Sequence, residues 1–381
     1  MLMASHVKIF GILLVLCIAP SVFGDFNVLD FGAVGDGRTD DTEAFKRAWE
    51  ATCAAHGDVS TLVVPRRTFL LNSNRFSGKC NATLIFFRLF GNLIAPTRDA
   101  FKGWKSWITF YKVDGLTVTG TGTIDGQGSS WWPRNCMDEA STSCFFTSCL
   151  MLNVRGVKLK NSARSHMTVN GCGRVSIQNI HISSPANSPN TDGINIGSSW
   201  NVQVSDSIIE SGDDCISFLA GSYHINVSHI TCGPGHGISV GSMDTGIVED
   251  VKVSNCIFKN TLFGARIKTK QGGTGHVKWV KFRDNHMQSV YTPIIIDQYY
   301  ASRMNQSSAV AIEGVEFTNF WGTASGKLGI KLACSQSVPC TDIRLREINL
   351  ASATPNKQLS SYCLSARGPH CGDCSPAVRC L

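Results

Sequence analysis

Charged residues are scarce in this chain, and long apolar segments are rarer still. Asp, Glu, Lys and Arg make up 17% of the 381 residues, whereas hydrophobic residues make up 43% and Gly occurs 36 times. Such a composition disfavours disorder and long surface helices. It suits an all-β chain with many turns. The formal net charge of +7 makes an acidic partner plausible but does not identify one.

Familiar catalytic signatures are also missing. The sequence contains no phosphate-binding loop and no dinucleotide fingerprint, and "GISVG" (237–241) does not supply a nucleophile elbow. Only the amino terminus carries a long apolar run. Lys8 precedes "IFGILLVLCIAP", and small residues follow before Asp25, so residues 1–24 are predicted to be a secretory signal. The run is too short to span a bilayer, and the mature chain, 25–381, is predicted to be one secreted domain without a membrane segment.

Cysteine usage agrees with secretion. The chain has 16 Cys, and removal of Cys17 with the signal leaves an odd number, so disulfides are expected with at least one thiol unpaired. "CGDC" (371–374) could indicate redox or zinc chemistry, but no second ligand pair has zinc spacing. Three N-x-S/T sites, at Asn81, Asn226 and Asn305, are compatible with a glycoprotein.

A strand-bearing unit repeats along most of the chain. Alternating segments such as "NVQVSDSII" and "DVKVSNCIF" recur, and the spacing from Val175 to Val280 is 23–29 residues. Each segment begins near an aliphatic anchor: Val157, Val175, Val202, Ile225, Val251, Val280, Val315 and Ile343. No helical pattern lies between them, and few hairpin signals occur. The sequence therefore predicts a right-handed parallel β-helix. Before it, Ala44, Phe45, Ala48 and Trp49 form one apolar stripe at helical spacing, which predicts a short capping helix.

Polar residues follow the same period. The positions are Asp192 in "NTDG", Asp213 and Asp214 in "GDD", His236 in "GHG", and Arg266 and Lys268 in "RIK". On coils about 4.8 Å apart these residues would form one stripe. A bend is expected to expose both Asp213 and Asp214, because neighbouring residues of a strand face opposite ways.

Clustered carboxylates allow several interpretations. Three Asp on adjacent coils repel one another, so at least one pKa should be raised, which prepares an acid and a base. Asp residues can also stabilise turns in solenoids, and clustered carboxylates suit calcium. The neighbouring His236, Arg266 and Lys268 argue against a cation site. Together, paired carboxylates and cations indicate hydrolysis of a glycosidic bond in an acidic polysaccharide.

These motifs resemble those of the polygalacturonases, specifically of plant-type members. The matching stretches are "SPNTDGI" (188–194), "SGDDCIS" (211–217), "CGPGHGISVGS" (232–242), "RIK" (266–268), "IDQYY" (296–300) and "FGAVGDGRTDDTEAF" (31–45). The resemblance covers essentially the whole mature chain. It implies a parallel β-helix that hydrolyses α-1,4-linked galacturonan with inversion.

The resemblance also implies residue roles. Asp213 matches the general acid, while Asp192 and Asp214 match the pair that activates water, and His236 matches the residue that tunes the acid. The substrate-binding positions are Arg266, Lys268 and Tyr300. No cofactor or metal is implied. The expected partner is homogalacturonan, without nucleic acid or membrane, and the mature protein is expected to be an extracellular or cell-wall monomer.

The same resemblance suggests disulfide pairings, and the sequence departs from the plant-type pattern at two positions. It suggests Cys215–Cys232, Cys334–Cys340 and a terminal pairing among Cys363, Cys371, Cys374 and Cys380. Lys270 stands where plant members often have Trp, and Ala301 where they often have Cys. If the strand continues through "RIKTK", Lys270 should lie on the same face as Lys268.

Four alternatives remain at this point. Endo action is favoured over exo action, although the loops that decide it cannot be read from the sequence. A hydrolase of another pectin backbone, such as rhamnogalacturonan, is a near alternative, and a pectin lyase would use the same fold. A wall-binding protein without catalytic activity would bind the polysaccharide without turnover.

Overall fold

The computed structural model describes residues 24–102, 106–132, 141–301 and 306–381. The predicted signal, apart from Gly24, and the N-x-S/T site at Asn305 lie outside these ranges. No helix within them is long and apolar enough to cross a membrane.

Within these ranges, one α-helix and three 3₁₀ turns accompany 31 strands. The helix α1 spans Thr42–Ala54, and the 3₁₀ turns span Val28–Phe31, Arg98–Ala100 and Gly128–Ser130. The strands are β1 (Gly24–Asn27), β2 (Asp36–Asp40), β3 (Val59–Val64), β4 (Thr68–Leu70), β5 (Asn74–Ser77), β6 (Leu84–Leu89), β7 (Asn92–Ile94), β8 (Ser106–Tyr111), β9 (Leu116–Gly120), β10 (Thr123–Asp125), β11 (Ser141–Thr147), β12 (Leu150–Arg155), β13 (Lys158–Lys160), β14 (Met167–Asn170), β15 (Gly173–Gln178), β16 (His181–Ser183), β17 (Ile194–Gly197), β18 (Trp200–Glu210), β19 (Ile216–Phe218), β20 (Ser222–Cys232), β21 (Ile238–Met243), β22 (Ile247–Ser254), β23 (Ile257–Lys259), β24 (Phe263–Thr269), β25 (His276–Val290), β26 (Thr292–Asp297), β27 (Ala311–Ala324), β28 (Leu328–Ala333), β29 (Thr341–Ser352), β30 (Ser360–Leu364) and β31 (Cys374–Ser375).

These strands form two sheets that wind around one core. The smaller sheet has 11 strands in the order β5-β8-β11-β14-β17-β19-β21-β24-β26-β28-β30, and the larger sheet contains the other 20. Each strand of the smaller sheet pairs in parallel with its counterpart one coil further along, as β17 does with β19 and β19 with β21. This is the predicted right-handed parallel β-helix.

The aliphatic anchors stack in register along the larger sheet. Val175 pairs with Val202, and the row continues through Ile225, Val251, Val280, Val315 and Ile343. Val157 lies outside this row, because Leu152 is the residue that pairs with Val175. Val157 instead directly precedes β13, in which Lys158 pairs with His181 of β16.

A left-handed residue lies four positions after each anchor from Val175 to Ile343. These residues are Asn179, Asp206, His229, Asn255, Asp284, Asn319 and Glu347, with φ between 51° and 56°. Five of the seven are Asn or Asp, which tolerate this conformation better than most side chains. The repeated bend lets a single strand such as β18 pair with both β15 and β16.

The capping helix closes the amino-terminal end of the solenoid as predicted. Ala44, Phe45, Ala48 and Trp49 are at most 4% exposed. The Trp49 ring lies 5.1 Å from that of Phe76, which stacks on Phe110 at 5.1 Å. The apolar stripe of α1 therefore continues directly into the core of the first coils.

The suggested disulfides Cys215–Cys232 and Cys334–Cys340 are present, and the terminal four cysteines pair as Cys363–Cys380 and Cys371–Cys374. "CGDC" is thus a disulfide in this structure. A further bridge, Cys53–Cys80, was not predicted, and Cys144, Cys149, Cys172 and Cys256 are buried free thiols.

Candidate active site

The predicted polar stripe lies at one edge of the smaller sheet. Ile194, Ile216, Ile238 and Ala265 are in register on the four successive strands β17, β19, β21 and β24. The acidic residues and His236 come just before the first three of these strands, and Arg266 and Lys268 lie within the fourth. Parallel pairing in this register brings together residues as far apart in sequence as Asp192 and Lys268.

Asp213 and Asp214 lie in the predicted bend, immediately before β19. The Asp213 side chain is 22% exposed, and its Oδ1 accepts a 2.8 Å hydrogen bond from His236 Nδ1. The same oxygen accepts the backbone N–H of Asp214 at 2.9 Å. The prediction that both carboxylates are exposed was wrong, because the Asp214 side chain is only 1% exposed.

Asp214 is buried because two cations and a hydroxyl surround it. Lys268 Nζ lies 2.6 Å from Oδ2, Arg266 NH1 lies 3.5 Å from Oδ1, and Ser239 Oγ donates to Oδ1 at 2.7 Å. Both cations are themselves 7% exposed. A buried carboxylate is tolerated only when it is paired and hydrogen-bonded in this way.

Asp192 lies on the preceding coil and lacks an ion pair of this kind. Burial, together with repulsion from Asp214 and Asp213, raises its pKa well above the ordinary value, although Lys268 acts in the opposite direction. Burial also raises the pKa of Asp213, but the hydrogen bond and charge of His236, with Lys268, outweigh it and leave that pKa lowered. The expectation of at least one raised pKa is met at Asp192.

The close approach of the neighbouring coil requires a glycine next to His236. Gly237 has φ of +86°, and a Cβ atom there would lie 2.3 Å from the carbonyl oxygens of Phe263 and Gly264. The backbone of this coil therefore approaches the next one too closely for any side chain. This approach places the His236 ring beside Phe263, with the ring centroids 6.3 Å apart.

Aromatic rings flank the cations. The Arg266 guanidinium lies 4.2 Å from the Phe263 centroid and 5.4 Å from that of Tyr300, and Lys268 Nζ is also 5.4 Å from Tyr300. The structure therefore brings Tyr300 to the predicted stripe. Arg266 Nε is buried and has no hydrogen-bond partner within the described residues. A donor in this state is available to an anionic ligand.

Lys270 does not extend the strand. β24 ends at Thr269, and the Lys270 side chain is 44% exposed, with Nζ 3.8 Å from Asp244. The condition that the strand continues through "RIKTK" is therefore not met, since β24 ends one residue before Lys270. Lys270 N–H donates to Met243 O on the neighbouring coil.

Sequence reasoning missed four residues that support this cluster. Ser239 and Phe263 contact it directly, as described above, and the Asn195 side chain hydrogen-bonds Asp192. His166 is buried, and both its backbone N–H and its Nδ1 lie within 2.9 Å of Asp192 O, while Nε2 is 2.8 Å from Ser184 Oγ. Burial lowers the pKa of His166 to about 4.

The register of the strands offered a sequence signal for two of these four residues. Asn195 and Ser239 each follow a motif residue, Asp192 or His236, by three positions, and both belong to one row of the sheet with Arg266. His166 and Phe263 gave no comparable signal, because their roles depend on packing between coils.

The arrangement combines a proton-holding carboxyl, a His-paired carboxyl and a cation-paired carboxylate at one open edge. Such a set can donate a proton, activate water and hold an anionic group. One atom each from Asp213, Asp214 and His236 would also fit around a metal ion, since these atoms lie within 4.8 Å of one another. Lys268 and Arg266 already provide positive charge at Asp214, which makes this donor set a poor fit for a metal ion.

Comparison with known proteins gives consistent matches. The family profile described as Glycosyl hydrolases family 28 matches residues 53–371. A "Probable polygalacturonase" of Arabidopsis thaliana is 42% identical, covering 91% of this chain and 79% of that protein. An exopolygalacturonase of Platanus acerifolia is 34% identical, covering 93% and 97%. The solved structure of an exopolygalacturonase from Thermotoga maritima superposes with a TM-score of 0.75 at 22% identity, covering 88% of this chain and 90% of that one.

The raised pKa of Asp192 predicts a stability gain on removing its charge. A group whose pKa is raised on folding contributes stability below its unfolded pKa, and that contribution is lost as the pH rises through the folded pKa. The ionised carboxylate therefore destabilises the folded chain at neutral pH. We expect Asp192→Asn to raise the melting temperature at pH 7 by about 1–3 °C and to have no such effect at pH 3, measured by calorimetry.

Asp213→Asn is the matched control, because the pKa of Asp213 is lowered on folding. Its carboxylate stabilises the fold above the unfolded pKa, so the amide should lower the melting temperature at pH 7 and lose that effect in acid. Equal shifts for the two variants at pH 7 would contradict the assigned charge distribution.

Proposed function

The chain belongs to glycosyl hydrolases family 28, among the polygalacturonases, and on this basis we propose that it is a secreted, endo-acting hydrolase of α-1,4-galacturonosyl linkages in homogalacturonan. It acts with inversion and without a metal or cofactor. The mature chain, 25–381, is a single catalytic domain that works as a monomer in the cell wall, and its partner is the acidic polysaccharide, not nucleic acid or membrane.

The observation that carries this proposal is the position of Arg266 and Lys268. Both are nearly buried cations beside Asp214, at the same edge as the open Asp213–His236 pair. A neutral sugar would need no such charge, whereas each galacturonate brings a carboxylate that a guanidinium can bind through two hydrogen bonds. The unpartnered Arg266 Nε supports this interpretation. Tyr300 completes the substrate-binding set.

The residue roles proposed here rest on the family motifs, and the geometry supports them. Asp213, the more exposed carboxyl of its pair, protonates the leaving oxygen, and His236 tunes it. Asp192 and Asp214 activate the attacking water from the opposite face of the sugar. Inversion needs carboxyls roughly 6.5–9.5 Å apart to admit that water, a separation that residues on neighbouring coils can supply. Lys268 forms an ion pair with Asp214, so the charge of Asp214 is compensated whether or not Asp192 carries a proton.

This distribution of protons has a consequence for pH dependence. Acid catalysis requires the proton on Asp213, whose pKa is lowered through His236 and Lys268 despite its burial. Water activation by the Asp192–Asp214 pair weakens in turn as Asp192, whose pKa is raised, takes up a proton at lower pH. We therefore expect a bell-shaped pH profile with an acidic optimum.

Product analysis on de-esterified homogalacturonan tests the activity itself. We expect saturated oligogalacturonates whose new reducing ends are β-anomers by NMR, formed equally well in the presence of a chelator. Unsaturated, ultraviolet-absorbing products would indicate a lyase. Binding without turnover would indicate a wall-binding protein, and faster release from rhamnogalacturonan would change the substrate.

Exo action is the second candidate, because relatives named exopolygalacturonases cover nearly the whole chain. Solution viscosity measured against reducing ends released separates the two. Endo cleavage gives a steep early fall in viscosity, whereas a shallow fall would establish exo action.

Asp213→Asn should remove general acid catalysis. We expect turnover of polygalacturonan to fall by about 10²–10⁴-fold, because an amide cannot supply the proton, while substrate binding persists. A galacturonate oligomer with a fluoride leaving group should be hydrolysed with a much smaller loss. Asp192→Asn is the comparison variant, because it removes a base. Its loss of activity should not depend on the leaving group, and added azide should restore activity. One-tenth of wild-type turnover by Asp213→Asn would refute the assignment.

His236→Ala should move the pH profile. Because His236 lowers the pKa of Asp213, its removal raises that pKa and keeps the acid protonated to higher pH. We expect the alkaline limb of kcat/KM to shift upward, measured over a full pH series. His224→Ala is the matched control, since His224 forms a similar 2.7 Å pair with Asp250 on the larger sheet. An unshifted limb in His236→Ala would remove His236 from this role.

A further inference from the structure

A second polar groove lies at the same edge of the smaller sheet. Its volume is about 650 Å³, and residues before and between β26, β28 and β30 line it, including Tyr291, Ser325, Lys327, Thr354 and Lys357. None of the residues described above as the candidate active site contributes to it.

Backbone hydrogen bonds connect this groove to the loop that carries His236. Leu262 N donates to Gly235 O, and Thr292 N donates to Leu262 O. On the next two coils, Gly326 N donates to Tyr291 O and Ser360 N donates to Lys327 O. The groove thus begins two coils beyond His236 and spans two more. At about 4.8 Å per coil, it starts roughly 10 Å from His236 and ends near 19 Å.

The charges in the groove are all of one sign. Lys327 and Lys357 are exposed, and neither has an ion-pair partner within the described ranges of the chain. Nearby Lys331 differs, since it pairs with Asp297 at 2.9 Å. No acidic residue occurs among the described residues that line the groove. Two unpaired cations that line one groove repel each other, so an anionic ligand between them would be stabilised.

The other residues that line the groove are suited to binding a sugar. Tyr291 is 53% exposed, and an exposed aromatic residue can pack its ring against the apolar face of a pyranose. Serine and threonine side chains beside it, among them Ser325 and Thr354, offer hydrogen bonds to sugar hydroxyls. Aromatic, hydroxyl and cationic groups together match an acidic sugar better than a simple anion or an apolar molecule.

We infer that this groove binds additional galacturonate units of the polymer, on the carboxy-terminal side of the active site, with Lys327 and Lys357 at the sugar carboxylates and Tyr291 against a ring. The inference rests on the proposed function and adds to it. A coil is about as thick as one sugar of a 1,4-linked chain is long, so successive coils meet successive sugars. Long substrates reach the groove, and the shortest ones do not.

Chain-length kinetics test the inference. For the double variant Lys327→Ala/Lys357→Ala we expect KM on long, de-esterified galacturonan to rise by roughly three- to tenfold, with kcat nearly unchanged. The increase should shrink at high salt, because exposed charges are screened, and on methyl-esterified substrate. Trigalacturonate should be hydrolysed as by wild type. Tyr291→Ala should show the same length dependence without the salt dependence.

Lys158→Ala is the control for net charge, since Lys158 is an exposed lysine of the larger sheet. The inference is overturned if Lys158→Ala reproduces the effect, if the double variant affects trigalacturonate and polymer alike, or if it matches wild type at every length.

Calorimetric binding of long and short oligogalacturonates separates this inference from the proposed function. In an Asp213→Asn background, added Lys327→Ala/Lys357→Ala should weaken only the binding of long oligomers. A background protein that binds no galacturonan would refute the proposed function. Binding that is unaffected by the two lysines would refute only the groove.

Discussion

Parallel hydrogen bonding between successive coils, held in register, is the constraint on which the rest of this molecule depends. It stacks the anchors from Val175 to Ile343 in one row, and it stacks the residues before β17, β19 and β21 in another. Because each strand is fixed to the next, a polar residue at a given place in the coil has a fixed neighbour on each side. The active site is therefore a row of such places, and no single loop builds it.

Charge compensation within that row explains how three carboxylates coexist. Lys268 and Arg266 come from a strand more than 50 residues further along and meet Asp214 where it is buried. Under the proposed function, the same two cations receive a substrate carboxylate. Stability and substrate binding would then depend on one pair of side chains, whose charges a solenoid core would exclude if they were unpaired.

The pKa values of Asp192 and Asp213 are shifted in opposite directions. Burial and its neighbours raise the pKa of Asp192, while His236 overcomes the burial of Asp213 and keeps its pKa low. Groups that interact this strongly titrate as a set. Under the proposed function, a substrate carboxylate at Arg266 and Lys268 adds negative charge beside the cluster, which favours protonation of its carboxyls. Substrate binding would then be coupled to the protonation of the site.

The sequence by itself determined the repeat, the anchor row from Val175 onward, the capping helix and the membership of the polar stripe, because each depends on a short local pattern or a regular period. Only the tertiary structure decided that Asp214 is buried and Asp213 open, that Val157 falls outside its row, that Lys270 leaves the strand, and that His166 supports Asp192. These outcomes depend on which side chains meet between coils, and the loops that join the coils differ in length. The exposure of a side chain is set by partners from distant segments, so no local pattern encodes it.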